Sequence, residues 1–355
     1  MCLDCSTGRF SVKGSQFRIA AVWLATLVLV LGGLEGLARL FVPAPPTLMG
    51  EARTAITAQG LPALAPLLDP DPALFWRLKP DLLRVPVAGR IGSYPIRFNV
   101  STDSRGFRAG AVSPAPGARR LLVLGDSASF GLGVEDAEAW PAKLGGLLAQ
   151  EGAPPGWEII NAAVPGYTAY QGLQFLKTRG DALRPGMVVA EFWANDKADW
   201  SSRSDMEHAD MMRRQALLLN SRLAWAMNRF RARFSDAEEK KPAGRSRLSE
   251  KEFTDTLAAI AAWGRERGVP VMFLVWPSRR QVEERQDKLY GYQELVAQTA
   301  KQSGALLADP APAFIAAGGD LFVDEFHGSA RGCALAAEAV RGVLETPAGG
   351  PTPAR

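Results

Sequence analysis

The sequence has few residues of the two types that most often hold metals or form crosslinks. Its 355 residues include three cysteines, Cys2, Cys5 and Cys333, and two histidines, His208 and His327. Two of the cysteines lie at the extreme N-terminus and the three cannot all pair, so no disulfide framework is implied. A zinc site needs more cysteine and histidine partners than this chain contains. We therefore expect no metal site, and any imidazole chemistry must use one of the two histidines.

The chain also lacks a strong excess of charge of either sign. Its formal net charge is +4, and the charged residues are spread along the sequence. Such a balance makes no strong case for a nucleic-acid partner, and we expect none. The share of hydrophobic residues, 47%, is ordinary for a globular protein, and the chain is long enough for one large or two modest domains.

A long uncharged run occurs near the N-terminus, from Ile19 to Leu34, and Arg9, Lys13 and Arg18 precede it. The run is slightly shorter than the roughly 18–20 residues of a full membrane span, but flanking residues extend it. A cleaved signal peptide is the alternative, although no convincing small-x-small cleavage site follows. We expect an uncleaved transmembrane signal-anchor that leaves the rest of the chain on the extracytoplasmic (periplasmic or extracellular) side, because the positive charges precede the span.

Composition and periodicity divide the chain into segments. Residues 1–43 are expected to form a cytoplasmic tip and the anchor, 44–118 a proline-rich stalk and N-terminal extension, 119–345 an α/β domain, and 346–355 a disordered tail. In the α/β domain, short apolar runs alternate with helical stretches, which favours a parallel sheet covered on both faces. The strand candidates are 121–125, 158–164, 187–193, 271–276 and 305–309, and helices are expected near 137–151, 168–183, 249–268, 285–303 and 330–344.

The alternation lapses over about 196–248, which we interpret as an insertion or lid. Its centre carries six arginines from Arg213 to Arg233 and no acidic residue. Leu219, Leu223 and Met227 recur at helical spacing. Two interpretations remain open for this stretch: a lid helix packed on the domain, or a helix that lies against anionic lipid or an acidic glycan.

A serine stands where the first strand of the α/β domain ends, in "RRLLVLGDSASFGLG". The carboxyl ends of parallel strands are where ligands bind in such sheets, and free backbone N–H groups at a helix start stabilise negative charge. Ser127 therefore suits a nucleophile, although a serine in this position also serves as a helix cap. The spacing around Gly125 matches neither a dinucleotide fingerprint nor a phosphate-binding P-loop nor the G-x-S-x-G elbow.

Three further strand ends carry chemistry-bearing residues. Gly166 lies in a tight turn in "NAAVPGYTAYQG", and Asn195 follows a strand in "FWANDKAD". In "VDEFHGSARG", Asp324 precedes His327 by three residues, close enough for the carboxylate to reach the ring N–H. Such a contact leaves the other imidazole nitrogen free to act as a base.

Ser, Gly, Asn and then Asp-x-x-His, in this order and in separate blocks, resemble the SGNH (GDSL-type) hydrolase superfamily over about 119–345. The resemblance implies a three-layer α/β/α fold of flavodoxin-like appearance with a five-stranded parallel sheet. It also implies Ser127 as nucleophile, His327 as general base and Asp324 as the residue that orients His327. The backbone N–H groups of Ser127 and Gly166 and the side chain of Asn195 would form the oxyanion hole. One departure is Trp193, which stands where the third block of the family usually has glycine.

The resemblance implies a serine esterase or deacylase that hydrolyses an O-acyl ester through an acyl-enzyme. From the expected location we predict an envelope or extracellular substrate, an ester-bearing carbohydrate or lipid. A serine mechanism requires no cofactor, and we expect none. Two alternatives remain: an O-acyltransferase of a cell-surface polysaccharide, and a non-catalytic membrane-tethered module that binds a glycan or a protein partner. His208 lies in a polar stretch, "DMEHADMM", and is expected to be solvated.

Overall fold

The computed structural model describes residues 11–42, 62–110, 117–150, 156–201, 204–219, 221–224, 226, 227, 230 and 245–345. The expected tip at 1–10, the stalk residues 43–61 and the expected tail at 346–355 lie outside the described residues. The chain forms two compact units. Met1–Pro46 and Asp210–Lys240 make up the first, which we call the N-terminal unit, and Thr47–Ala209 and Lys241–Arg355 make up the second, the α/β unit.

One long helix, α1 (Ser11–Phe41), dominates the N-terminal unit. The run of leucine, alanine and valine favours a helix, and Pro43 cannot continue one. An 18-residue stretch within Gln16–Phe41 has a mean hydropathy of 2.1 and is not buried, whereas Ala38 near the end of the helix is buried. Length and composition therefore allow this helix to cross a membrane, and a signal sequence meets the same criteria.

The α/β unit begins with two antiparallel hairpins. A 3₁₀ turn at Pro62–Leu67 precedes them. The first hairpin pairs β1 (Leu68–Asp71) with β2 (Phe75–Leu78), and the second pairs β3 (Val85–Ile91) with β4 (Tyr94–Val100). The carboxylate of Asp71 accepts the N–H groups of Ala73 and Leu74, which closes the first turn.

A parallel sheet of five strands forms the centre of the α/β unit, as the sequence predicts. The strands that follow in the chain are β5 (Arg119–Gly125), β6 (Trp157–Asn161), β7 (Met187–Glu191), β8 (Asp199–Ser201), β9 (Arg245–Ser246), β10 (Val271–Leu274) and β11 (Leu306–Ala308). In space the sheet has the order β11–β10–β7–β5–β6, and β8 and β9 form a separate antiparallel pair. Every residue of β7 and β10 is buried, because both faces of the sheet are covered.

Helices cover the two faces of the sheet and complete the three layers. The helices that follow β4 in the chain are α2 (Ser127–Phe130), α3 (Trp140–Gln150), α4 (Ala169–Phe175), α5 (Asp181–Leu183), α6 (Ala194–Lys197), α7 (Asp205–Leu219), α8 (Glu250–Arg267), α9 (Arg279–Glu283), α10 (Tyr292–Ser303), α11 (Ala311–Ala317) and α12 (Ala330–Glu345). One layer packs α3 against α12, and the other packs α8 against α4 and α10. The helix predicted over 168–183 is divided by a π-helical turn at Leu176–Gly180.

Local sequence sets the ends of the longest helix of this unit. Ser249 accepts the N–H of Glu252, whose carboxylate accepts the N–H of Ser249 in return, which is a capping box at the start of α8. At the other end, Gly268 adopts a φ of 63°, a left-handed conformation that costs glycine little. The helix therefore begins and ends within one residue of the bounds read from the sequence.

Candidate active site

The site lies at the carboxyl edge of the central sheet, where the chain leaves successive parallel strands. Ser127 is the first residue of α2, directly after β5, and Asn195 lies in α6, after β7. Asp324 and His327 occupy the loop before α12. The structure brings these residues together although Ser127 and His327 are 200 positions apart in the chain. All but Asp324 line one cleft of about 170 Å³.

Hydrogen bonds join Ser127, His327 and Asp324 into one chain of contacts. The Oγ of Ser127 lies 2.7 Å from Nε2 of His327, and Nδ1 of His327 lies 2.6 Å from Oδ2 of Asp324. Both distances suit strong hydrogen bonds. The serine and the histidine are each 9% exposed, so the proton between them is shielded from bulk water yet reachable from the cleft.

The protein environment keeps Asp324 charged. Burial disfavours the charge, but hydrogen bonds from His327 and from the N–H groups of Phe326 and His327 outweigh it, and the pKa of Asp324 lies below its ordinary value. An ionised carboxylate accepts hydrogen bonds only, so Nδ1 of His327 carries the proton of this contact. Nε2 is then the nitrogen that accepts the hydroxyl proton of Ser127.

Asn195 is held in place by the residue that precedes Ser127. Its Nδ2 donates one hydrogen bond to Oδ2 of Asp126, at 2.8 Å. Oδ1 of Asp126 accepts the N–H of Ala128 at 2.8 Å and so caps α2. The buried carboxylate of Asp126 therefore fixes both the start of α2, where Ser127 lies, and the side-chain amide of Asn195. Two candidate oxyanion donors, the N–H of Ser127 and Nδ2 of Asn195, thereby lie at one cleft.

Gly166 occupies the turn after β6 with a φ of 81°, a left-handed conformation that favours glycine. Its carbonyl accepts a hydrogen bond of 2.5 Å from the buried guanidinium of Arg247, which is itself paired with Asp205. Within the described part of the chain, Gly166 is not among the residues that line the cleft around Ser127. Its role as an oxyanion donor stays a prediction.

Comparison with known proteins identifies the family of this chain. The model of a family described as the GDSL-like lipase/acylhydrolase family matches residues 123–335, which is more than half of the chain. The chain belongs to this family. The match begins within β5 and ends within α12, so it includes the end of β5, the other four central strands, and Ser127, Asn195, Asp324 and His327.

Curated relatives in the comparison match a shorter stretch. An esterase named TesA from Pseudomonas aeruginosa is 38% identical over 79 residues, and an arylesterase from Vibrio mimicus is 35% identical over 79 residues. In both cases the match covers 22% of this chain and 38% of the relative. Among solved structures, an acetylxylan esterase from Geobacillus stearothermophilus is similar with a TM-score of 0.42 at 17% identity, covering 64% of this chain and 95% of that chain.

Trp193 takes the position of the glycine usual in GDSL proteins, and its surroundings explain how the tryptophan is accommodated. Its φ of 178° is extended backbone, which any residue adopts. The indole Nε1 donates to the carbonyl of Trp276 at 3.0 Å, and the ring packs edge-on against Phe326 at 5.8 Å between centroids. All three aromatic rings line the cleft. The departure therefore adds an aromatic wall beside Ser127.

Glu191 is a site residue that we did not predict from the sequence. It is the last residue of β7, it is 1% exposed, and it is hydrogen-bonded to Asp126. Its Oε2 also accepts the hydroxyl of Ser129, which in turn accepts Nε1–H of Trp140. Burial raises the pKa of both carboxyls, that of Glu191 well above its ordinary value, because the surroundings disfavour negative charge. A glutamate that ends an otherwise apolar strand was the signal available in the sequence.

Arg108 holds the loop that follows α2. Its buried guanidinium donates to the carbonyls of Phe130, Gly131 and Val134, at 2.5, 2.6 and 2.7 Å, and pairs with Asp136 at 3.0 Å. These carbonyls lie just beyond the helix that carries the serine of this GDSL protein. The arginine therefore ties together three backbone carbonyls of this segment, of which that of Gly131 also accepts the N–H of Val134.

His208 does not match its expected environment. We expected a solvated side chain, but the ring is half-buried and packs edge-on against Phe75, at 5.2 Å between centroids. The reason is that the start of α7 packs the ring of His208 against the first hairpin of the α/β unit. The polar residues beside His208 in the sequence do not indicate this contact. Among the residues that the structure describes, no group of three or more His, Cys, Asp and Glu side chains is arranged to hold a metal ion.

Proposed function

We propose that this chain is a serine esterase or deacylase that hydrolyses an O-acyl ester through an acyl-enzyme. Ser127 acts as nucleophile, His327 as general base and Asp324 as the group that orients the imidazole. The observation that carries the proposal is the hydrogen-bonded sequence from Ser127 through His327 to Asp324, with distances of 2.7 and 2.6 Å. Family membership supports the same reaction class.

In the first step, Oγ of Ser127 attacks the ester carbonyl carbon while its proton passes to Nε2 of His327. Asp324 stabilises the imidazolium. The carbonyl oxygen becomes an oxyanion, held by the N–H groups of Ser127 and Gly166 and by Nδ2 of Asn195. Each such donor contributes about 10²–10³ to the rate in comparable sites. The C–O bond of the ester then breaks, and the leaving alcohol takes the proton from His327.

In the second step, a water molecule gives its proton to His327 and attacks the acyl-enzyme carbonyl. The bond to Ser127 breaks, the serine recovers its proton from His327, and the carboxylic acid is released. An acceptor hydroxyl in place of water would give an O-acyltransferase by the same steps. The transfer of an acyl group to an added glycan is therefore an outcome that the test below must record.

The cleft supports a short acyl group as substrate. It measures about 170 Å³, and Trp193, Trp276 and Phe326 form its apolar side. An apolar wall suits the hydrocarbon part of an acyl group, while rigid, buried indoles leave little space for a long chain. We infer that the alcohol part of the ester, a carbohydrate or a lipid, is the larger part of the substrate.

We further propose that α1 anchors the protein in a membrane and that the α/β domain, expected over residues 119–345, acts on the extracytoplasmic side. The long apolar helix supports the anchor, and the preceding positive charges support the orientation. An ester of the cell envelope is then the nearest substrate. The expected extension over 44–118 would connect anchor and domain.

The test is to label the full-length protein, in detergent, with a fluorophosphonate and to locate the adduct by mass spectrometry. We expect one adduct, on Ser127, and none in Ser127→Ala. In that variant, hydrolysis of p-nitrophenyl acetate should fall by about 10³-fold or more, because the nucleophile is gone. Ser93→Ala, at an exposed serine, is the matched control and should behave as the parent.

An ester series of increasing acyl length completes the test. We expect kcat/KM to be highest for acetyl and to fall for longer acyl chains. A parent protein that stays unlabelled and inactive on every ester would contradict the catalytic proposal and favour a binding module. Transfer of the acetyl group to an added oligosaccharide faster than its hydrolysis would favour the acyltransferase.

A further inference from the structure

A carboxylate near the end of α1, that of Glu35, has no part in the proposed reaction. Glu35 follows the uncharged run and lies one helical turn before Arg39, with which it pairs at 2.9 Å. A carboxylate at the end of an apolar helix is costly unless charged or polar groups surround it. The structure supplies such groups from the arginine-rich part of the insertion, which belongs to the same N-terminal unit.

Glu35 caps a second helix. Residues 222–224, 226, 227 and 230 are helical, and Ser221 lies just before them. The Glu35 carboxylate accepts the hydroxyl of Ser221 at 2.7 Å and the N–H groups of Arg222 and Leu223, each at 3.0 Å. These N–H groups belong to the first turn of the second helix, which has no partners of its own for them, and the negative charge suits this end of the helix.

Arg222 makes the reciprocal contact. Its Nη1 donates to the carbonyl of Arg39 at 3.2 Å and to that of Val42 at 2.7 Å, at the C-terminal end of α1. A cation suits this end of a helix, where carbonyls lack partners. Each helix thus provides a charged side chain that hydrogen-bonds to the unpaired backbone groups at the end of the other helix. We call the pair of contacts the Glu35–Arg222 exchange.

The exchange places the second helix where α1 would leave the membrane. Met227 is 59% and Phe230 64% exposed, and they follow the half-buried Leu223 at helical spacing. An apolar stripe of this kind, in a sequence stretch with six arginines and no acidic residue between 213 and 233, is typical of a helix that lies in a membrane interface. The arginines match the negative charge of anionic phospholipid headgroups.

We propose that the second helix, which includes residues 222–224, lies on anionic phospholipid at the membrane surface and that the Glu35–Arg222 exchange fastens it to the anchor. This inference rests on the proposed anchoring by α1. It also requires that α1 is retained in the mature protein, because cleavage beyond Glu35 would remove the carboxylate and expose the end of the second helix. The function of the N-terminal unit is then to bind lipid in two ways, through a span and through an interfacial helix.

The experiment uses the full-length chain in lipid nanodiscs, made either with phosphatidylglycerol or with phosphatidylcholine alone. Met227→Cys, in a background with Cys2→Ser and Cys5→Ser, receives an environment-sensitive fluorophore, since Cys333 is buried. We expect blue-shifted emission and strong quenching by doxyl-labelled lipid, greater in the phosphatidylglycerol discs. Lys251→Cys, at an exposed position of the α/β unit, is the control and should show neither effect.

Two arginine variants test the exchange itself. Arg222→Gln and Arg39→Gln each remove one positive charge, but only the first removes the hydrogen bonds to the end of α1. We expect lipid quenching at position 227 to be lost in Arg222→Gln and in Glu35→Ala, and to be retained in Arg39→Gln. Equal loss in both arginine variants would show a charge effect without the exchange and would overturn this part of the proposal.

Two other results would overturn the proposal as a whole. One is quenching at position 227 no greater than at position 251 in either lipid. The other is an intact mass, for protein extracted from membranes, that shows a chain beginning after residue 35. Equal quenching in the two lipids would contradict the preference for anionic headgroups. Ester hydrolysis is not measured in any arm, so failure of the catalytic proposal leaves these results interpretable.

Discussion

Single residues at the site divide into those that the proposed reaction uses directly and those that hold them. Ser127, His327 and Asp324 touch one another, whereas Glu191 acts through Asp126, which contacts Asn195. Sequence patterns favour the first group because a hydroxyl, then a carboxylate and then an imidazole along the chain, in blocks of this kind, are typical of one chemistry. Residues of the second group can be identified only from which buried carboxyls lie side by side at the ends of β5 and β7. Hydrophobic periodicity does not indicate such a contact.

Glu191 is expected to be a positioning residue. Glu191→Gln keeps a donor toward Asp126 and an acceptor for Ser129, so kcat on p-nitrophenyl acetate should stay within about tenfold of the parent. Glu191→Ala leaves Asp126 without its partner and frees Asn195 to turn, so kcat should fall by about 10²-fold or more with a smaller change in KM. Steady-state kinetics of the parent and both variants on p-nitrophenyl acetate measure both effects.

A residue with a purely structural role would give a different result. If Glu191→Gln and Glu191→Ala lose activity equally while their melting temperatures fall together, Glu191 supports the fold and not the amide of Asn195. Recovery of activity by the glutamine variant alone supports the positioning role.

Asp196, next to Asn195, should make stability depend on pH. Burial raises the pKa of this carboxyl to about 8, and in the described structure its Oδ2 has no hydrogen-bond partner. The unfolded chain has an ordinary carboxyl pKa near 3.8. Between these values the folded protein holds a proton that the unfolded chain has lost, so the free energy of unfolding should fall as pH rises from about 4 to 8.

Asp196→Asn is expected to remove this dependence. Asparagine resembles the protonated carboxyl, and its oxygen still accepts the N–H of Ala169, which Oδ1 of Asp196 accepts at 2.8 Å. Chemical denaturation should therefore show the variant gaining stability over the parent at pH 8, with the difference shrinking toward pH 5. A difference that is constant over this range would contradict a raised pKa.

At the scale of elements, close approach of helix and strand depends on glycine in α4. A Cβ at Gly172 would lie 2.6 Å from two ring carbons of Phe192, just after β7. Gly172→Ala should therefore lower the free energy of unfolding by about 1–3 kcal/mol, as overpacking does. Adding Phe192→Leu should recover part of this loss, because it removes the ring atoms concerned.

Gly146→Ala is the matched control in α3, where nothing lies within 4 Å of the added Cβ. Alanine there should stabilise the helix by about 0.5–1 kcal/mol, since helix propensity alone changes. Thermal and urea denaturation measure both variants. Changes of the same sign at the two positions would show that propensity, and not the ring of Phe192, decides the effect at Gly172.

Elements were predictable to different degrees for physical reasons. The five central strands are nearly continuous apolar runs, so their number and their order along the chain were clear. They form a five-stranded parallel sheet, as predicted. Their ends were less clear. The predicted strand over 271–276 ends at Leu274, although the N–H of Val275 still donates to the carbonyl of Ala308 in β11 at 2.9 Å, and Trp276 lines the cleft. The π-helical turn at Leu176–Gly180 has no signature in hydrophobic periodicity.

At the scale of the whole molecule, the two compact units are expected to separate in function. The α/β unit contains its own core and every residue of the proposed site. A chain that begins at Thr47 should therefore hydrolyse p-nitrophenyl acetate with kcat near that of the parent, while it no longer sediments with membranes. Loss of folding in the truncated chain, seen by circular dichroism, would contradict this independence.

Several properties of this protein are determined by its sequence alone. Hydrophobic periodicity is a local property, and it is sufficient for the alternation of strands and helices, the five-stranded parallel sheet and the apolar N-terminal helix. The identity and order of Ser127, Asn195, Asp324 and His327 also indicate one reaction class.

Tertiary structure alone decided how these residues meet. The contact between Asp126 and Glu191, the aromatic wall that includes Trp193, and the exchange between Glu35 and Arg222 each join residues far apart in the chain. Such contacts depend on distances of a few ångströms between side chains, and those distances follow from how elements pack. Local sequence constrains each element, and the packing of elements sets the chemistry between them.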